Sequence, residues 1–359
     1  MELYWYLIIV FFLAMFFILD GYNFGVGIIH LFMAKKENDK VVVAKSAGLF
    51  WDANEVWLVA AGGMLFMAFP ILYASAFSGF YLPLIIVLWL IIFRAIGLEL
   101  RDHFKYQMWK DIWDVSFGVS SLLLALFFGI ALGNVVRGVN LGEVVDGVSK
   151  HEPHYFFLPL WNDSFSPIVQ SVGVIDWFTI IIGLISVVTL AMHGAAWIIL
   201  KTNSSINEKL KNTVLKLDII LIILTVFSVI VWLIVNPNAL DNFGNKLYLI
   251  ILPLVYFTGL IGLLFSKKIT DKQRILFTTI VIFGGIASTL ASMFPVVLPS
   301  TNNINPSLTI YNTAATEYGL SVASIWAIIA IILIVVYAIA QKRFLGGKID
   351  DMDYGGDAH

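Results

Sequence analysis

Nine apolar stretches, each long enough to cross a bilayer, constrain this chain more than any other feature. They fall near residues 4–34, 50–74, 79–101, 113–136, 173–200, 214–235, 246–266, 275–298 and 320–341. In lipid a backbone must satisfy its own N–H and C=O groups, so runs of this kind become transmembrane helices. The 359 residues are 60% hydrophobic and only 13% charged, well below the usual share of charge in soluble domains. The expected fold class is an all-α polytopic membrane protein. A single integral-membrane domain covers 1–345, and a polar, mobile tail follows at 346–359.

The loops supply the sidedness. Four connections and the tail carry 18 of the 22 basic residues, among them Lys35, Lys40, Arg101, Lys209 and Lys267. The alternate connections hold only Arg137, Lys150 and Lys246, and Arg94 lies within a span. By the positive-inside rule the N-terminus is outside and the C-terminus is cytoplasmic, as an odd number of spans requires. The N-terminus lacks a cationic leader region, so the first helix is expected to stay rather than to be cleaved as a signal peptide. With no cysteine, the chain itself excludes disulfides, iron–sulfur clusters and thiolate-ligated haem. No nucleotide-phosphate, nucleophile-elbow or metalloprotease motif is present.

The charges left inside the spans are the candidate site. The segment WDANEVWLVAAGGMLFMAFP (51–70) opens with Asp52 and Glu55, which share a helix face with Trp51. Gly62 and Gly63 in its middle are suited to the close approach of another helix. LDGYNFGVGIIH (19–30) puts Asp20 near the middle of the first span, beside the small pair Gly21 and Gly25. FRAIGLELRDH (93–103) places Arg94 about two turns inside and Glu99 at the lysine-rich surface. From that surface inward the order is Glu99, then Asp52 and Glu55, then Arg94, then Asp20. Such a ladder suits a proton-input path; burial would raise the carboxylate pKa values and Arg94 would lower them.

Plainer roles compete. Asp52 and Glu55 would also offset a helix dipole, Arg94 would serve as an ion-pair partner for Asp20 or Glu99, and Glu99 and Asp114 would be interfacial charges. His30 and His193 are the histidines within spans, and a buried histidine more often hydrogen-bonds a neighbour than ligates haem. His151 and His154 have the residue type for a metal, but Pro153 spoils the spacing. Trp51 and Trp57 beside the carboxylates could pack on a planar ligand. Pro253 and Pro295 read as kinks, and Asp218 lies near a helix end on the lysine-rich side.

Four blocks in order, LDGYNFGVG (19–27), WDANEVWLVAAGGMLFMAFPILYASAFSGFY (51–81), FRAIGLELR (93–101) and LGNVVRG (132–138), closely resemble subunit II of the cytochrome bd quinol oxidases. They cover much of the first 140 residues; the second half matches in helix count and in MHGAAW (192–197). The resemblance implies two four-helix bundles plus one peripheral helix, in a prokaryotic cytoplasmic membrane. It implies a larger partner, subunit I, that bears two b-type haems, one haem d and the quinol-oxidising loop, with small single-span accessory subunits as further partners. No haem, metal or nucleic acid is expected on this chain. The complex would oxidise quinol, reduce dioxygen to water and draw its protons from the cytoplasm. Subunit II would scaffold subunit I and contribute carboxylates: Asp20 of the DG pair, Asp52 of the WD pair and Glu99, with Arg94, Trp51 and Trp57 as structural or pKa-tuning neighbours.

The chain departs from the family pattern at Asn23, where many relatives carry a second acid; an amide cannot relay a proton as a carboxylate does. Glu55 replaces an amide found in some relatives and would supply a nearby acid. Two other readings stay open. A secondary transporter would build a midplane site from Asp20, Arg94 and His193, although no second copy of the WD or FRAIG blocks exists. In a purely structural subunit, every acid would be ion-paired.

Overall fold

The structure is a computed structural model that describes residues 1–48, 50–344 and 347–350. The first span is built from α1 (Glu2–Leu19) and α2 (Gly21–Met33). Asp20 between them keeps right-handed helical angles (φ −85°, ψ −20°), so the two run on as one 32-residue span. The polar α3 (Glu37–Gly48) follows, then α4 (Trp51–Ala68) and α5 (Pro70–Gly79). Next come α6 (Tyr81–Leu100), α7 (Gln107–Arg137), α8 (Trp177–Lys201) and α9 (Ile206–Val235). The short α10 (Asp241–Asn245) leads to α11 (Ile251–Leu264), α12 (Asp271–Met293) and α13 (Glu317–Phe344). Eight helices among the described residues are long and apolar enough to cross a membrane, and the bent pair α4–α5 brings the number of candidate spans to nine.

Several expectations are corrected. The second span does not run through Pro70 to residue 74. The chain bends by 119° between α4 and α5, because proline removes a helix donor and drives the residue before it out of the helical region; Phe69 sits at φ −133°, ψ 65°. Pro253 kinks nothing, since it lies in the first turn of α11, where its missing N–H costs no bond. Pro295 stands beyond the end of α12, and residues 296–298 are a strand paired with Leu308–Thr309. Gly62 and Gly63 face open space, with no neighbour for an added Cβ among the described residues. The tail is not mobile throughout: Ile349 and Asp350 pair in parallel with Thr202 and Asn203. Residues 351–359 lie outside the described residues.

The core is organised around α2. Every residue from Gly21 to His30 is buried. α2 meets α8 where Gly25 crosses Gly194, backbone against backbone, and it meets α7 where Gly27 sits against Ser121. α8 also packs on α9 and α12, and α11 pairs with α12. At the end of α7 opposite the lysine-rich loops, Arg137 pairs with Asp176 and reaches Asn134 Oδ1 at 2.5 Å. Asp176 caps α8 in a reciprocal box with Thr179. The LGNVVRG block therefore ties the 138–176 loop to two helices. His151 and His154 do not combine: His151 bonds Glu143 at 3.1 Å, while His154 is exposed.

Candidate functional site

Arg94 of α6 is wholly buried. Its Nη1 donates to Asp20 Oδ1 at 3.1 Å and its Nη2 pairs with Glu55. The guanidinium also lies 4.7 Å from the Phe24 ring centroid, a cation–π contact. Asn23 Nδ2 donates to the same Asp20 oxygen at 2.8 Å. Residues 20 and 23 share a face of one span, so the DGYN sequence supplies both an acid and its orienting amide. One guanidinium thus faces two carboxylates from two other helices. Asp20 is sealed, whereas the Glu55 side chain keeps 24% of its exposure, so Glu55 is the less buried of the two acids.

The other predicted residues distribute around this centre. Trp51 Nε1 donates to Glu99 Oε1 at 3.0 Å, so Trp51 closes the α4–α6 gap at the exposed end. Asp52 is exposed and makes no hydrogen bond or ion pair among the described residues. It does not share the inward side with Trp51 and Glu55 as its spacing suggested, because the face of α4 that meets α6 carries residues 51 and 55. Trp57 is turned to α1, packed on Phe12 at 5.1 Å between ring centroids, and is unavailable to a planar ligand beside the acids. Asn54 reaches Tyr22 OH at 2.6 Å and Leu19 O at 2.9 Å, bracing α4 on the first span. Arg94 therefore pairs with Asp20 and not with Glu99.

A second buried polar cluster, on the lysine-rich side, was not anticipated. Asp114, expected at the interface, is buried and accepts from Arg101 Nε at 2.5 Å and Lys40 Nζ at 3.0 Å, with His30 Nε2 at 2.8 Å. Glu37 takes Arg101 Nη2 at 2.9 Å and Lys110 at 3.4 Å. Burial disfavours charge on Glu37, but Arg101 and Lys110 outweigh it and hold its carboxyl below the ordinary value. Burial likewise opposes the charge on Lys40, yet Asp114 and Asp111 raise its pKa. The sequence named Asp114 only as an interfacial charge; its link to His30 carried no local signal, because 84 residues separate them.

The two intramembrane histidines are held differently. Both ring nitrogens of His193 are engaged, with Thr278 Oγ1 at 2.7 Å and Ile18 O at 2.8 Å. His30 Nε2 faces Asp114, and its Nδ1 has no protein partner among the described residues. Among the described residues no group of three or more His, Cys, Asp or Glu could hold a metal ion. Among the described residues His193 makes no hydrogen bond or ion pair with Arg94 or Asp20, so the transporter triad is not joined by polar contacts.

A helical chain with a buried Asp–Arg pair that reaches Glu55 and a surface rich in exposed leucine, isoleucine and phenylalanine defines a class: an integral membrane protein that carries charge within its spans. The chain belongs to the family of cytochrome bd terminal oxidase subunit II, whose model matches residues 1–343. It is 27% identical to the probable cytochrome oxidase subunit 2 of Haemophilus influenzae, over 96% of this chain and 94% of that one. It is 25% identical to the cytochrome bd-I ubiquinol oxidase subunit 2 of Escherichia coli K12, over 99% and 97%. With the cytochrome bd ubiquinol oxidase subunit 2 of Bacillus subtilis the figures are 24%, 90% and 89%. The bd oxidase structure from Geobacillus thermodenitrificans shares the fold, with a TM-score of 0.70 at 15% identity over 97% of this chain and 99% of that chain.

Proposed function

We propose that this chain is the haem-free scaffold of a quinol:oxygen oxidoreductase, holding a haem-bearing subunit I and supplying carboxylates to a proton path that opens on the cytoplasm. The observation that carries the proton role is Arg94, buried and paired with both Asp20 and Glu55. One guanidinium neutralises one of the two carboxylates, so the centre carries one net negative charge and becomes neutral on taking up one proton. Glu55, partly exposed, exchanges that proton with the cytoplasmic side, and Asp52 and Glu99 stand at the same end as its inlet. The family's arrangement of two four-helix bundles and a peripheral helix is supported by the packing. α1 packs on α4 and α6 on α7, α8 packs on α9 and α12 while α11 pairs with α12, α2 bridges the two sets through α7 and α8, and α13 touches α4 with only 11% of its apolar window buried. The haems, the quinol site and any accessory subunits belong to the partner side of the complex, in a prokaryotic cytoplasmic membrane.

The test uses the purified complex. Glu55→Gln and Asp52→Asn should each slow oxygen consumption by about tenfold or more, roughly 1.4 kcal/mol of barrier, with the haem b and haem d absorbances unchanged. Wild-type turnover in both variants would leave the scaffold and remove the proton role.

A further inference from the structure

The proton reading above leaves His30 without a part, and three buried atoms point to one. Along α2, residues 20, 23, 27 and 30 fall on a single face, the one that meets α7. Asp20, Asn23 and His30 are each 2% exposed or less, and each keeps one polar atom with no protein partner: Asp20 Oδ2, Asn23 Oδ1 and His30 Nδ1. Between Asn23 and His30, Gly27 leaves room for the buried Ser121 hydroxyl of α7. At the lower end His30 Nε2 lies on Asp114, whose neighbour Lys40 keeps 22% of its side chain exposed. Buried polar atoms without protein partners are satisfied by ordered water. Ten residues of helix separate His30 from Asp20, about 15 Å. Ser121 and Asn23 divide that distance into steps that one bridging water each can span.

We infer that the α2–α7 seam is a hydrated proton route, separate from the Trp51–Glu99 side, in which His30 carries protons from the Asp114 cluster toward Asp20 and Arg94. This rests on the proposed proton role of that centre. The step balances on Asp114 and the imidazole. A proton arriving at the Lys40–Asp114 edge is taken up by the Asp114 carboxylate, which hands it to Nε2 of the Nδ1–H tautomer and leaves the imidazolium against the Asp114 carboxylate. The Nδ1 proton then leaves into the seam, and the ring returns to the Nδ1–H tautomer before the next transfer. The charged groups around His30 are Asp114 of α7, Lys40 and Glu37 of α3 and Arg101 beyond α6, with Asp111, Lys110 and Asp102 one contact further out. From α8, the titratable group packed on this span is His193, beyond the Asp20 end.

His30→Gln keeps a hydrogen bond to Asp114 but takes up no proton. In the purified complex it should lower oxygen consumption about tenfold, roughly 1.4 kcal/mol of barrier, with haem content unchanged. His30→Ala should be slowed similarly and restored by imidazole in proportion to its concentration, but not by pyrrole, which has the same size and no basic nitrogen. Wild-type turnover of His30→Gln, or equal restoration by pyrrole, overturns the seam. If the His30 variants do not assemble, Ser121→Ala decides: severalfold slower turnover supports the route and a wild-type rate overturns it. Slow Glu55→Gln beside normal His30→Gln removes the seam and keeps the Arg94 centre, whereas normal rates in both remove both.

Discussion

Arg94 holds two acids from two other helices and is wholly buried, so bulk solvent does not take over if one partner goes. Deleting one member of a buried ion pair leaves the rest uncompensated, so Arg94→Leu should destabilise the complex by about 3–5 kcal/mol. The loss would register as a lower melting temperature and a lower yield after detergent extraction. Arg94→Lys should recover only part of it, because one ammonium cannot reproduce the two-armed contact. Glu37 is the opposite case, a half-exposed acid whose value is set by Arg101 and Lys110. Its folded pKa lies below the ordinary 4.5, so the stability it contributes is present above that value and is lost as pH falls through the lower folded one. Thermal stability followed downward from pH 5 should therefore decline less steeply in Glu37→Gln than in the wild type. At this scale the sequence was informative about identity and weak about direction. Asp20, Glu55 and Arg94 were singled out, and they meet. Asp52 was grouped with Glu55 by spacing alone, yet it faces outward, because periodicity orders positions around a helix without saying where the neighbouring helix stands.

Among the elements, α2 is the most demanding. Gly25 and Gly194 let two backbones touch, and a Cβ at Gly25 would run into the backbone of Leu190 and Gly194, which cannot give way as a side chain can. Gly25→Ala should cost at least the roughly 1–3 kcal/mol of ordinary overpacking, seen as reduced assembly with subunit I, whereas Gly62→Ala should leave the fold of this chain intact. The GYNFG motif advertised this crossing. The Gly62–Gly63 pair advertised one equally well and has none within the chain, since small residues permit close approach without requiring it. The bend at Phe69 was written in Pro70, but an uninterrupted apolar run hid it.

For the whole molecule, the distribution of lysine carries the orientation. A membrane-impermeant amine reagent should label Lys150 from outside intact cells and Lys209, Lys267 and Lys268 only in inverted vesicles, each of them exposed; the reverse pattern would invert the topology. The class, the number of candidate spans and the family were legible in the chain itself, because hydropathy and charge act locally and long motifs survive in order. The joining of His30 to Asp114, the sealing of Asp20 by Arg94 and the outward turn of Asp52 came only from tertiary structure. Those contacts depend on how helices distant in sequence rotate about their own axes when they pack, and a linear sequence carries no record of that rotation.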